Sequence, residues 1–184
     1  MRYACAALCR LCATQENGNR ILDSGAVPTL VQKAIKGDRQ TQQYCGAVLS
    51  SLSFYEPCRV PLFDMDTISA LKKLADVNDD VTRQRCLAAF ANLSCEESIQ
   101  LKMVNQGVVS IISRLADSYQ EVNYTCCARA LCNLACADEA RLRVATEGGF
   151  EALMMISMVR SVDRHTKLLC IIALTNLLVV IPPA

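Results

Sequence analysis

One motif recurs along this chain at a nearly fixed interval, and that interval constrains the fold more than any other feature. The segments are Ala7-Leu-Cys-Arg-Leu11, Val48-Leu-Ser-Ser-Leu52, Ala89-Phe-Ala-Asn-Leu93, Ala130-Leu-Cys-Asn-Leu134 and Ala173-Leu-Thr-Asn-Leu177, and their closing leucines are spaced by 41, 41, 41 and 43 residues. A second motif keeps the same phase: Gly25-Ala-Val-Pro-Thr-Leu30, Asp66-Thr-Ile-Ser-Ala-Leu71, Gly107-Val-Val-Ser-Ile-Ile112 and Gly149-Phe-Glu-Ala-Leu153, with first residues 41, 41 and 42 apart. Two motifs on one period mark stacked repeats, in which a unit buries its apolar face only against its neighbours.

Within one period the spacing predicts three helices. In the third unit, Glu96 to Gln106 forms a short first helix and Gly107 breaks it. Val108, Val109, Ile112 and Leu115 make an apolar helical stripe over 108–116, and Asp117-Ser118 marks a turn. Val122 to Ala135 forms the longest helix, with Cys127, Ala130, Leu131 and Leu134 on one face. Composition agrees: 7 Gly and 5 Pro are too few for the many turns of an all-β fold, and a core with 5% aromatics and no Trp suits close helix packing.

Gly-Ala-Val-Pro-x-Leu followed by Ala-Leu-x-Asn-Leu, at about 41 residues, resembles the armadillo repeat, and the short helix ahead of the Gly favours it over the two-helix HEAT repeat. The resemblance covers essentially the whole chain and implies an all-α, right-handed superhelix. It divides residues 1–184 into a leading third helix (1–12) and four full units, 13–54, 55–95, 96–136 and 137–181. Neither end carries a polar capping repeat, so the chain is expected to be a piece of a longer array or to associate end to end with another copy. Pro57 and Pro61 predict a short or distorted first helix in the second unit, where Asp66 replaces the Gly.

The twelve cysteines follow the repeat. Seven residues before the closing leucine stand Ala4, Cys45, Cys86, Cys127 and Cys170; two before it stand Cys9, Ser50, Ala91, Cys132 and Thr175; two after it stand Ala13, Phe54, Cys95, Cys136 and Val179. Cysteine exchanging with Ala, Ser and Thr reads as a small packing residue. Equivalent positions in adjacent repeats lie ~10 Å apart, beyond the ~7 Å Cα limit of a disulfide. A reducing compartment follows, the cytoplasm first and the nucleus second. Cys9-Arg-Leu-Cys12, alone and within a helix, is a weak metal or redox signal. The single His165 cannot supply a His-rich metal or catalytic set, and no phosphate-loop, dinucleotide-binding, nucleophile-elbow or zinc-protease motif is present. The expectation is no enzyme, no cofactor and no metal. A net charge of +1 points away from nucleic acid. The apolar run Leu168 to Ile181 is too short to span a membrane.

In armadillo proteins the third helices line a concave groove, and an Asn on each contacts an extended peptide backbone; an amide offers both donors and an acceptor. The matching positions, one before the closing leucine, are Arg10, Ser51, Asn92, Asn133 and Asn176. The alternative for each Asn is a bond to its own neighbouring loop or helix. Four and seven residues earlier lie Ala6 and Tyr3, Ala47 and Tyr44, Ala88 and Arg85, Arg129 and Cys126, Ile172 and Leu169. The family's import receptors place Trp on this face for lysine stems; with no Trp, import-signal recognition is not expected. Arg2, Arg10, Arg85 and Arg129 with Tyr3 and Tyr44, and no acid at these positions, suggest an acidic or phosphorylated extended partner with apolar anchors. Leu168, Leu169 and Ile172 suggest an apolar patch on the last unit. The resulting expectation is a protein-binding scaffold. The alternatives are a module sensing a small molecule for an attached effector domain, or a structural assembly component.

Overall fold

In a computed structural model of the chain, the described residues are 2–117 and 121–179, with the side chains of Arg2, Glu121 and Val122 left aside. Ser118 of the predicted turn, the Arg2 side chain, and Val180 and Ile181 of the terminal run lie outside that description. Every regular element is a helix among the described residues. The chain forms two compact units, Met1–Glu96 and Glu97–Ala184.

The N-terminal unit contains α1 (Arg2–Leu11), α2 (Gln15–Asp23), α3 (Ala26–Lys36), α4 (Arg39–Phe54), α5 (Glu56–Asp64), α6 (Thr67–Ala75) and α7 (Asp80–Leu93). Third helices α1, α4 and α7 pack in sequence, second helices α3 and α6 pack on each other, and first helices α2 and α5 do likewise. The C-terminal unit contains α8 (Glu97–Asn105), α9 (Val108–Ala116), α10 (Glu121–Leu134), α11 (Asp138–Val144), a wide π-type turn (Ala145–Gly149), α12 (Phe150–Met158) and α13 (Arg164–Leu178). Here α10 packs on α13.

The closing leucines Leu52, Leu93, Leu134 and Leu177 are wholly buried, as are Cys45, Cys86, Cys127 and Cys170 seven residues before them. Leu11 is the exception at 52% exposed, with Ala4 and Ala7 of the same column also exposed. In the later units this column packs on the second helix of its own repeat, as α4 does on α3 and α7 on α6. What is buried here is Cys5 on the other side of α1 and Cys12 just past its end, and α1 packs on α4.

Each third helix with a described start opens on the same device. Asp38, Asp79 and Asp163 accept the amide of the residue three on, Thr41, Thr82 and Thr166, at 2.8, 2.9 and 3.0 Å. The threonines are buried, so the cap fixes both the helix start and its rotation. At the other end, Arg59 donates from Nε to the Ser53 carbonyl and from Nη2 to that of Phe54. Arg141 repeats this on Ala135 and Cys136. Each Arg thereby caps a third helix with a cation from the following first helix. On α1, the Tyr55 hydroxyl donates to the Cys12 carbonyl at 3.1 Å and serves the same end.

The first helix expected to be short or distorted at Pro57 and Pro61 is not short: α5 has nine residues, as do α2 and α8, but Pro61 lies inside it and supplies no amide to the preceding turn. Pro57 sits in the first turn, where no amide partner is needed. Asp66 takes the left-handed conformation (φ 57°) that Gly25 and Gly107 take, and its carboxylate accepts the Ser69 hydroxyl at 2.6 Å. In the fourth unit the left-handed residue is Gly148 (φ 93°), not Gly149 (φ −67°). The spacing of left-handed residues is therefore 41 throughout, and the extra two residues of the last repeat fall between Gly148 and the cap Asp163.

Candidate third-helix recognition face

Within the N-terminal unit, α1, α4 and α7 share a face built from three columns. Ala6, Ala47 and Ala88 form its floor; Ala47 is buried and the other two are half-buried. Along one edge stand Tyr3, Tyr44 and Arg85, and along the other Arg10, Ser51 and Asn92. Methyl side chains on the floor let successive helices approach and leave the edges standing proud. A recess of about 620 Å³ lies on this face, lined by Tyr3, Ala6, Ala7, Arg10, Leu11 and Tyr44, and a smaller one of about 110 Å³ adjoins it between Tyr3, Ala6, Gln40 and Tyr44. Tyr3 is 86% exposed.

The polar residues differ in how they are held. Arg85 donates from Nη1 to the Gln43 carbonyl of α4 at 2.8 Å. Arg39 and Gln43 both donate to Asp79 Oδ1, at 3.2 and 3.0 Å, lacing α4 to α7. The Asp79 carboxyl is held down to about 2, first by the Thr82 hydroxyl and further by the Thr82 amide, Arg39 and Gln43, against the opposing effect of burial. Asn92 Nδ2 donates to Ser53 Oγ on α4 at 3.2 Å. Arg10 is exposed and makes no ion pair or hydrogen bond among the described residues.

In the C-terminal unit the same columns read differently. Arg129 and Ile172 take the place of the floor alanines, and Cys126 and Leu169 that of the tyrosines. Asn133 and Asn176 are half-buried on the other edge. Asn176 Nδ2 lies 3.8 Å from Cys136 Sγ, two residues past the end of α10. Thus both amides whose partners are resolved reach back to the preceding third helix or just past its end, which the sequence left as the alternative to ligand contact. Of the predicted patch, Leu168 and Ile172 are exposed and Leu169 is half-buried; Ile171 and Leu178 are exposed beside them. The sequence reading missed Ile171, although the buried equivalents Gly46 and Ala128 marked its column as one that packs inward.

Burial pushes the Cys86 thiol up to about 12; Cys45 rises equally, by burial and then by its neighbour Cys5. An open recess in the C-terminal unit, about 450 Å³, lies on the second helices among Ser113, Arg114, Asp117, Gly148, Glu151, Ala152 and Met155. Among the described residues, no cluster of three or more metal-binding side chains occurs, and no helix is long and apolar enough to cross a membrane.

No family model matches the chain, and no curated protein does. Solved structures do. A designed armadillo repeat protein superposes with a TM-score of 0.84 at 18% identity, over 95% of this chain and 74% of its own. Computationally designed armadillo repeat proteins for modular peptide recognition give 0.86 at 20%, over 95% and 74%. A third designed armadillo repeat protein, in complex with the peptide (KR)4, gives 0.83 at 17%, over 96% and 74%. At this identity the likeness defines the fold, and the fold is the all-α armadillo repeat.

Proposed function

We propose that the chain is a protein-interaction scaffold that holds an extended peptide segment of a partner on the third-helix face, with no chemistry of its own. The observation that carries this reading is the floor of Ala6, Ala47 and Ala88 between two raised edges, a shape that accepts a backbone and presents Ser51 and Asn92 to it. The likeness to designed peptide-recognition proteins supports the same class of ligand. The charge of the ligand is read from this chain: Arg10, Arg85 and Arg129, with no acid in these columns, favour an acidic or phosphorylated segment, unlike the basic peptide of the designed complex. Asn133, Asn176 and Arg129 extend the reading to the C-terminal unit. The exposed Ile171 and Leu178 on α13 support a second contact, end-to-end association, read out by concentration-dependent mass in solution. Burial of thiols whose ionisation is suppressed suits a reducing cytoplasm.

The test is selection of binders from a displayed library of random peptides by the wild type and by a folded Asn92→Ala/Asn133→Ala/Arg129→Glu variant. Peptides retained by wild type and lost by the variant support the reading. Peptides retained equally by both place recognition on another surface and refute it.

A further inference from the structure

We infer that the slot between α1 and α4 is a two-residue specificity site, taking an aromatic or large aliphatic side chain and, next to it in the ligand, a carboxylate. The inference rests on the peptide-binding reading above and names its ligand. Tyr3 and Tyr44 flank the slot on one side, Ala6 forms its floor, and Arg10 stands on the other side with Ala7 and Leu11 at the margin. Seven residues separate Tyr3 from Arg10 on one helix, so the two edges lie ~10 Å apart along α1. An extended chain crossing the floor sends successive side chains to opposite sides. One side chain therefore meets the tyrosine edge and its neighbour meets Arg10.

The chemistry of the two edges differs. The tyrosine edge offers two phenol rings and the apolar surface of Ala6, which favours stacking of a ring or burial of an aliphatic group. Arg10 offers an exposed guanidinium with no anion beside it among the described residues, and no Asp or Glu lines either recess. A planar guanidinium suits a carboxylate fork-to-fork. Arg85, at the equivalent of Tyr44 one repeat on, is tied to the Gln43 carbonyl, whereas Arg10 has no such tie among the described residues.

The experiment is an array of extended Ser/Gly peptides in which every adjacent residue pair is varied, probed with the whole chain. The wild type should favour Phe, Tyr, Trp or Leu followed or preceded by Asp or Glu. Arg10→Glu, at an exposed position that leaves the fold intact, should weaken acidic pairs about tenfold and turn the preference toward Lys and Arg. Tyr44→Ala should erase the aromatic preference and keep the acidic one, with a melting curve confirming the fold. Phosphoserine or phosphotyrosine replacing the carboxylate with equal or better binding would overturn the carboxylate assignment. Binding lost in Asn92→Ala but with pair preferences unchanged in Arg10→Glu would overturn this site and leave the general reading standing. No binding by the wild type would overturn both.

Discussion

The two units build one repeat and finish it differently. Their inward columns are interchangeable: Leu52, Leu93, Leu134 and Leu177, the buried cysteines, the Asp-x-x-Thr caps at Asp38, Asp79 and Asp163, and the Arg59 and Arg141 locks recur in both. The third-helix face is where they part. The N-terminal unit leaves an alanine floor between raised tyrosine and arginine edges, whereas the C-terminal unit sets Arg129 and Ile172 on that floor. Stacking fixes whatever lies between helices and leaves the outward columns free to vary, so recognition is encoded where the core is not.

The sharpest way to break the comparison is through the core. Leu93→Ala and Leu134→Ala should each destabilise by ~2–5 kcal/mol in chemical denaturation, and Leu11→Ala, on an open column, by no more than ~0.5 kcal/mol. A small effect at Leu134 would mean that the two cores are not equivalent. Arg59→Ala and Arg141→Ala should follow, each costing ~1.5–3 kcal/mol as two charge-assisted bonds to helix-end carbonyls are lost. Lysine should not restore them, since it cannot span both carbonyls with a fixed fork.

The caps separate the units. Asp79 serves Thr82, Arg39 and Gln43 with both oxygens, and Asp79→Asn, which keeps an N-cap but loses the charge and one acceptor, should cost ~1 kcal/mol. Asp163 holds only its own first turn, and Asp163→Asn should cost less. The pH dependence has a definite sign. The folded carboxyl of Asp79 is depressed to about 2 from 3.8, so its contribution is complete above pH 3.8 and is lost as pH falls toward 2. Wild type and Asp79→Asn should therefore differ in melting temperature at neutral pH and converge as pH falls to about 2. The left-handed position should give effects of similar or smaller size. Asp66→Gly should raise stability by no more than ~0.5 kcal/mol, since relief of the left-handed backbone is offset by loss of the Ser69 bond, and Gly107→Ala should lower it by ~1 kcal/mol.

Much of this was legible in the sequence because repetition displays it. The closing leucines and the second-helix start at Val108 could be read directly, and the residue at which α9 ends, Ala116, was placed correctly. The phase of the last repeat was not: a Gly-Gly pair at 148–149 offers two candidates, and only backbone conformation selects Gly148. The prolines of α5 do not shorten it because Pro57 falls in the first turn, where no amide partner is needed, and only Pro61 lies inside the helix. Arg59 and Arg141 went unnoticed because the third repeat has Gln100 at that position. For the candidate face, the columns could be counted from the leucines. The depth of the slot beside Tyr3 could not, because it depends on how closely α1 and α4 approach over Ala6 and Ala47.

The central claim is that the third-helix face of the N-terminal unit is the recognition surface. Methyl chemical-shift mapping on alanine-labelled protein, titrated with a peptide selected by the wild type, tests it most directly. The account predicts shifts at Ala6, Ala47 and Ala88, with little change at Ala26 on α3. Shifts at Ala26 and its neighbours, with the three floor methyls unmoved, would contradict it.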